Sequence, residues 1–415
     1  MSRVVVVGIG RVGLPLALYL ADHGHSVVGL DVDENRVSSI QAGKMPFREE
    51  GAEEVLARVV EQGRFVASSD PEACVSAAEI LILTLGTPVD EHLNPVFTNL
   101  EAVFDTLGPL LRPDQLLILR STVSPGTTEY LRRHIEKTTE LRVGEDLLLA
   151  FCPERIAQGH SFRELPKIPQ IVGTLDAKSE ARAVAFFEPL VVSVHTSDAR
   201  SAEIAKLFCN VYRYIDFAIG NEFMMLADQQ ERDIYKILKL VNEGYPRGGL
   251  KSPGFTGGPC LYKDGFFLVD RIPFPDLLTT AWKINESVPA YLIGGLRQRL
   301  GTLEGKQVLV LGLAFKREID DNRNSLAYKA VKVLRRYGAE VATHDPYLAP
   351  GDLKPLLTKA DAVLIATNHH EYQELDHDLL RDVGETLVAD VWNVFGVNEV
   401  FFSLPGGLPQ QASSS

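Results

Sequence analysis

The chain has 415 residues and a formal net charge of −13; 45% of its residues are apolar and 23% charged, the balance of a globular protein of two or three domains. With no block of lysine or arginine, that charge argues against nucleic acid or an anionic membrane as partner, and no run approaches the ~20 apolar residues a membrane span needs. Four cysteines, Cys74, Cys152, Cys209 and Cys260, lie far apart in no CxxC pair, so neither a metal site nor a disulfide framework is expected and a reducing, cytoplasmic setting fits.

Residues 4–7 are a continuous apolar run, as in a strand buried on both faces of a parallel sheet. They lead into Gly8-Ile9-Gly10-Arg11-Val12-Gly13 and a helical pattern through Leu20; residues 26–30 predict a second strand, ending at Asp31. G-x-G-x-x-G between strand and helix, with an acid closing the next strand, marks a dinucleotide site. The glycines bring a pyrophosphate to the helix N-terminus, whose amides and dipole favour anions. Asp31 is placed for ribose hydroxyls, which selects NAD over NADP. Gly8, Gly10, Arg11, Val12, Gly13 and Asp31 are expected cofactor residues, joined by Thr87 and Thr122 further along the chain.

Strand-like runs recur at 79–83, 116–119 and 147–151, with helical patterns at 99–111 and 127–138 between them, the alternation of a doubly wound parallel sheet. Ligands gather at the carboxyl ends of such strands. Polar loops occupy those ends: Gly86-Thr87-Pro88, Arg120-Ser121-Thr122-Val123-Ser124-Pro125-Gly126 and Cys152-Pro153-Glu154-Arg155. Thr87 and Thr122 bring hydroxyls there, and Glu154 a carboxylate suited to a general base. Taken alone, Thr122 and Glu154 fit a helix cap or a surface charge as well.

Residues 201–240 hold little proline or glycine and much Ala, Leu, Phe and Met, with Ser197 or Asp198 as N-cap. They predict one long connecting helix or two joined near Gly220. Its apolar surface is expected to build a homodimer, or a higher oligomer; packing within one chain is the alternative. Lys206 and Asn210, four apart, share a helix face.

In Gly254-Phe255-Thr256-Gly257-Gly258-Pro259-Cys260-Leu261-Tyr262-Lys263-Asp264, two adjacent glycines and a proline impose a tight loop that delivers one thiol. Lys263 would favour its thiolate, the attacking form, and Asp264 could hold that lysine or a water. A structural turn around a small buried cysteine is the competing description.

The last third predicts a second α/β unit, with strands at 307–312, 340–344, 362–366 and 387–390 and a helix over 325–337. Lys316 and Arg323, after the first of these strands, would suit a phosphate-bearing ligand. His369-His370 reads as a loop, since adjacent side chains point apart. Residues 405–415 are expected to be disordered.

Seven separated motifs, in this order, resemble the nucleotide-sugar 6-dehydrogenases, the family of UDP-glucose, GDP-mannose and UDP-N-acetylhexosamine dehydrogenases: G-x-G-x-x-G, the Gly86-Thr87-Pro88 loop, R-S-T-V-x-P-G-T-T, C-P-E-R, A-E-I-A-K-x-x-x-N, G-G-P-C-L-x-K-D and G-L-A-F-K-x-x-x-D-D-x-R. The likeness runs from Gly8 to about Phe395. It implies an α/β protein of two Rossmann-like doubly wound domains bridged by a long central helix region: an NAD domain over 1–196, a helical dimerisation region with the cysteine loop over 197–300, and a UDP-sugar domain over 301–404. It also implies oxidation of a C6 primary alcohol to a carboxylate with two NAD, through a thiohemiacetal and a thioester on Cys260. Lys206 and Asn210 then correspond to the pair that stabilises the oxyanion, and Asp264 to the residue holding a water near Lys206. Glu154 corresponds to the carboxylate that assists thioester hydrolysis, and Thr122 to a water-positioning hydroxyl. Glu154, Arg155, Lys206, Asn210, Phe255, Gly257, Lys316 and Arg323 would contact the sugar nucleotide, joined by Arg247 from a neighbouring subunit.

The C-P-E-R form is more like the UDP-N-acetylhexosamine branch, whereas Pro259 and Lys263 are closer to the UDP-glucose pattern. UDP-ManNAc or UDP-GlcNAc is the favoured substrate, UDP-glucose the next. A two-electron hydroxyacid dehydrogenase would share the first domain but has no use for Cys260. A non-catalytic sugar-nucleotide sensor would not need Cys260, Lys206, Asn210 and Glu154 together.

Overall fold

The protein is described by a computed structural model over residues 1–86, 90, 98–269, 275–375, 380 and 383–404, with Asn99 described by its backbone. Thr87 and the tail 405–415 lie outside the described residues. The chain divides into two compact units, Met1–Cys209 with Lys263–Ile272, and Asn210–Tyr262 with Pro273–Ser415.

The first unit is built on eight strands: β1 (Arg3–Val7), β2 (Ser26–Leu30), β3 (Phe65–Ser68), β4 (Ile80–Leu83), β5 (Leu116–Leu119), β6 (Leu148–Phe151), β7 (Gln170–Thr174) and β8 (Val194–Asp198). Their order is β3-β2-β1-β4-β5-β6-β7-β8, parallel except for β6 against β7. Val4 and Val6 of β1 face one apolar cluster, Val5 and Val7 the other. That two-sided burial is why the run is continuously apolar. The strand order reverses between β1 and β4, the crevice where doubly wound sheets bind ligands.

The second unit carries β9 (Gln307–Leu311), β10 (Glu340–His344), β11 (Ala362–Ile365), β12 (Thr386–Asp390) and β13 (Phe401–Leu404) in the order β10-β9-β11-β12-β13. The β13 strand is antiparallel to β12 and the other pairs are parallel. Val308 and Val310 pack on one face, Leu309 and Leu311 on the other. The helix Leu326–Arg336 starts on Ser325, whose side chain accepts from the Ala327 N–H.

The central helix runs from Ala199 to Gln229, 31 residues, about 46 Å at 1.5 Å per residue. Asp198, one of the two expected caps, accepts the Ser201 N–H at 2.9 Å. Of the two expected forms, a junction near Gly220 is not found: the helix runs through Gly220 unbroken. The backbone of Lys251 lies so close to Gly220 that a Cβ there would sit 2.6 Å from the Lys251 carbonyl, which calls for glycine at that place in the helix. The chain breaks later, where Glu231 adopts φ 54° and Asp233 caps a new helix, Ile234–Asn242, by accepting the Tyr235 N–H at 2.7 Å. The outward side of the central helix is apolar at helical spacing: Phe208, Tyr212, Ile219, Phe223 and Leu226 are all exposed. Among the described residues no helix is long and apolar enough to cross a membrane.

Candidate active site

In the first unit the glycine loop follows β1. Gly8 takes φ +90° and donates its N–H to Leu30 at 2.7 Å. A Cβ on Gly13 would lie 1.9 Å from the Gly8 carbonyl and 2.4 Å from Thr84 Oγ1, so only glycine lets the first helix, Gly13–Asp22, start this close to the strand. A Cβ on Gly10 would meet nothing within 4 Å, so that side of the loop is open to a ligand. The helix begins at Val12 without a side-chain cap. This cradle fits a dinucleotide pyrophosphate. Arg11 lies over the Phe47 ring, 5.1 Å from its centre.

Asp31 closes β2 and is buried. Its Oδ2 accepts the Ile9 N–H at 2.9 Å and Arg36 Nη1 at 2.7 Å, and its Oδ1 accepts the Asp33 N–H at 3.0 Å. The acid therefore braces the glycine loop, a task the sequence reading did not assign, and draws Arg36 to the same end of the sheet.

At the ends of β5 and β6 the unit buries an ion pair. Arg120 Nε and Nη2 donate to Glu154 Oε2 at 3.1 and 2.7 Å, and Nη1 donates to the Cys152 carbonyl at 3.1 Å and Gln170 Oε1 at 2.9 Å. Glu154 Oε1 accepts the N–H groups of Arg155 and Ile156 at 2.6 and 2.8 Å. Burial pushes the Glu154 carboxyl up, but the Arg120 charge, the Ile156 N–H and the Lys206 charge outweigh it and hold the group below its usual 4.5. Glu154 is thus an ionised acceptor held in one orientation. Arg155 donates to the Pro169 carbonyl.

Lys206, buried on the central helix, shares this field with Glu154. Three residues before it, Glu203 collects the N-terminus of the helix Thr127–Thr138. Its Oε1 accepts the Thr128 N–H at 2.7 Å and hydroxyl at 2.6 Å, and its Oε2 accepts the Gly126 N–H at 2.5 Å. Glu203 so fixes the loop that carries half-buried Thr122. Lys263 and Asp264 also belong to this unit, both buried, with Nζ 3.4 Å from Oδ1 and 4.8 Å from the centre of the Phe267 ring.

In the second unit the cysteine loop is fastened to the segment after β9. Gly258, at φ +99°, donates its N–H to the Asn324 carbonyl at 3.1 Å, and a Cβ on it would meet the Phe315 ring at 2.6 Å. Gly257 lies as tightly on Asn324, a Cβ reaching its carbonyl at 2.6 Å, and Phe255 is buried. Cys260 itself is exposed. Arg323 forks onto Asp321, with Nε 2.9 Å from Oδ1 and Nη2 2.6 Å from Oδ2. The Asp321 hydrogen bond chiefly raises the Arg323 pKa, and negative charge on Cys260 adds to it. Arg323 therefore sits, held by Asp321, in the segment to which the cysteine loop is fastened. Lys316 is half-buried in the same segment. Asn210 is half-buried one turn beyond Lys206. Arg247 is exposed and stacks on Tyr245, 5.1 Å from its ring centre, with Nε donating to the phenol oxygen at 2.8 Å.

The second sheet repeats the device of the first. Asp345, beyond β10, accepts the N–H groups of Leu313 and Ala314 at 2.6 and 2.9 Å, bracing the loop that leads to Lys316. His369 Nε2 lies 3.2 Å from the same carboxylate, while its Nδ1 takes the Glu318 N–H at 3.1 Å. The buried histidine is thus part of the loop's support. Arg120, Glu203 and Asp345 were not singled out as partners in the sequence. Their only local signal was a charge at or near a strand end or a helix start, where ligand-facing loops begin.

Models of the UDP-glucose/GDP-mannose dehydrogenase family match the chain in three stretches: its NAD binding domain over residues 2–191, its central domain over 200–287 and its UDP binding domain over 309–397. A curated relative, the UDP-N-acetyl-D-mannosamine dehydrogenase of Pyrococcus horikoshii, is 32% identical over 414 residues, 97% of this chain and 98% of its own. A solved UDP-D-ManNAc dehydrogenase from the same organism gives a TM-score of 0.86 at 32% identity over 91% of each chain. A UDP-glucose dehydrogenase from Pyrobaculum islandicum gives 0.85 at 28% identity over 94% of each.

Proposed function

The chain belongs to the UDP-glucose/GDP-mannose dehydrogenase family and is an NAD-dependent nucleotide-sugar dehydrogenase; on that premise we propose that it oxidises the C6 alcohol of a UDP-N-acetylhexosamine to the uronic acid in two steps at Cys260. The observation that carries the reading is the exposed Cys260 thiol on a glycine loop held against Phe315 and Asn324. NAD, when bound, accepts one hydride in each oxidation. Gly8, Gly10, Arg11, Val12, Gly13 and Asp31 would hold it, and Thr122 would line its site.

The first oxidation converts the alcohol to an aldehyde and releases a proton. The Cys260 thiolate adds to the carbonyl carbon, and the resulting alkoxide takes up a proton, giving a thiohemiacetal. Loss of a second hydride and a proton leaves a thioester, and water then displaces the thiolate to give the acid. Covalent capture keeps the aldehyde from escaping. Lys206 and Asn210, one helical turn apart, oppose the negative charge on the carbonyl oxygen, and Lys206 does so from a buried position where charge acts strongly. Asp264 holds the water, and Glu154, oriented by Arg120, assists its attack on the thioester. Arg155, Phe255, Gly257, Lys316 and Arg323 contact the sugar nucleotide.

The N-acetylhexosamine preference rests on the C-P-E-R motif and on the 32% identical relative named for UDP-N-acetyl-D-mannosamine. UDP-glucose is the second reading, favoured by the fold likeness to the Pyrobaculum enzyme, at a TM-score of 0.85 against 0.86 for the Pyrococcus one. The occupant we propose for the apolar stripe of Phe208, Tyr212, Ile219, Phe223 and Leu226 is a second copy of this chain, giving a homodimer to which Arg247 would contribute across subunits. Four cysteines far apart in the sequence, with no CxxC pair, support a reducing, cytoplasmic setting.

The test is the yield of NADH per limiting sugar nucleotide across UDP-ManNAc, UDP-GlcNAc, UDP-glucose and GDP-mannose. About two NADH per sugar, fastest with an N-acetylhexosamine, is expected. One NADH per sugar leaves Cys260 without its role, and a fastest rate with UDP-glucose moves the substrate to the second reading.

Asp31 gives a separate expectation. Asp31→Ser removes the carboxylate that would bind ribose and frees Arg36 for a 2′-phosphate. The ratio of kcat/KM for NAD to that for NADP should fall by about 100-fold, the scale of one or two charge-assisted hydrogen bonds. An unchanged ratio would place NAD selection elsewhere.

A further inference from the structure

The cysteine loop is held by a buried amide pair that the chemistry above does not use. Asn221 on the central helix and Asn285 on the helix Asp276–Leu300 are both fully buried, in the apolar interior of the second unit. Asn221 Oδ1 accepts the Gly254 N–H at 2.8 Å, while Nδ2 donates to the Gly254 carbonyl at 3.1 Å and to Asn285 Oδ1 at 2.9 Å. Asn285 Nδ2 in turn donates to the Tyr214 carbonyl at 3.0 Å. Gly254 offers both a donor and an acceptor, so the Asn221 amide can sit in one orientation. Every donor and acceptor of Asn221 named here is paired inside the protein, which is the condition for burying such a group.

Gly254 is fixed from its other side too. Its Cα faces the ring of Trp392, where a Cβ would come within 2.3 Å, and Trp392 Nε1 is anchored to the Ala366 carbonyl at 3.0 Å. Four residues on, the Gly258 N–H is held by Asn324. The stretch leading to Cys260 is therefore clamped at two glycines, and the first clamp belongs to the helix that also carries Lys206 and Asn210.

We infer that Asn221 and Asn285 are positioning residues for the Cys260 thiol, a strut that fixes the cysteine loop on the central helix so that the thiolate meets the aldehyde before it leaves. The inference rests on the reading of Cys260 as nucleophile. Without the strut the glycine-rich loop samples other conformations, and a displacement of about 1 Å at the reacting atom lowers the rate by ~100-fold.

The experiment uses the full chain, Asn221→Ala and Asn285→Ala, and whichever sugar nucleotide the wild type oxidises. NADH per limiting sugar is measured with semicarbazide present to trap aldehyde, alongside KM, kcat and the rate of Cys260 alkylation by iodoacetamide. The variants should drop from about two NADH per sugar towards one, with the semicarbazone making up the difference. Their kcat should fall ~10–100-fold with KM within about threefold, and their alkylation rate should change severalfold. A merely structural role would lower the amount of active enzyme without changing NADH per sugar. Folded variants with wild-type stoichiometry and alkylation would overturn the inference. Should Asn221→Ala not fold, Asn285→Ala, which keeps both Asn221–Gly254 bonds, decides by the same readings. One NADH per sugar in the wild type would overturn the reading of Cys260 instead, so the two failures are distinct.

Discussion

Replacing Cys260 with serine is expected to remove steady turnover while NAD and the UDP-sugar still bind. A serine hydroxyl is not ionised near neutral pH, so no counterpart of the attacking thiolate forms. The aldehyde then has no partner, and the second oxidation loses its thiohemiacetal. Turnover should fall by at least ~1000-fold, about 4 kcal/mol of barrier. Rapid mixing should show at most one NADH per site, and calorimetry should show wild-type affinity for both ligands. Cys152→Ser is the internal control. Burial pushes the Cys152 thiol up to about 12, so it stays protonated and inert, and its loss should leave the rate unchanged. Undiminished turnover in Cys260→Ser would remove the covalent route and favour a two-electron dehydrogenase.

Much of this was legible because local pattern and local structure coincide. The run before Gly8 is apolar at every position because both faces of β1 are covered. The spacing of Gly8, Gly10 and Gly13 survives because a side chain at Gly13 has no room. Strands β3, β7, β8 and β13 went unread. The β8 strand is largely exposed and β3 alternates buried and exposed over four residues, so neither gives a long apolar run. Sequence left open whether the helix is joined near Gly220, since glycine looks like a breaker, whereas its small size there serves the close approach of Lys251.

The site was legible as residues but not as partnerships. Lys206 and Asn210 lie one turn apart on a single helix, so spacing alone pairs them. Glu154 was assigned a chemical role, but its partner Arg120 is 34 residues away and reaches it only because β5 and β6 are neighbours. Asn221 and Gly254 are 33 residues apart and Asn221 and Asn285 are 64 apart. Such contacts depend on tertiary packing, which periodicity does not encode. Arg323 was read as a phosphate ligand from its charge; the structure adds that Asp321 aims it.

The largest expected effect on stability comes from Arg120→Ala. Arg120 and Glu154 are both buried, and removing the guanidinium leaves a carboxylate, the Cys152 carbonyl and the Gln170 amide oxygen without their donor. Breaking a buried pair in this way costs about 3–5 kcal/mol, so the melting temperature should drop by several degrees at neutral pH. The sign of the pH dependence follows from the shift. In the wild type Glu154 is held below 4.5, so the pair's contribution is present above that value and is lost as pH falls through the lower folded value. In Arg120→Ala, burial, which raises the carboxyl, is left opposed by the backbone donors on Oε1 and the Lys206 charge, without the guanidinium. The variant therefore binds a proton more readily when folded. The gap between the two proteins should be widest near pH 7 and narrow towards pH 4, read from melts across that range. Arg120→Lys should recover part of the stability through its charge but not the two-point fork on Oε2, and with a looser Glu154 its kcat should remain below wild type. Melts of Arg120→Ala that match wild type at every pH would show that Glu154 is held by its backbone donors alone.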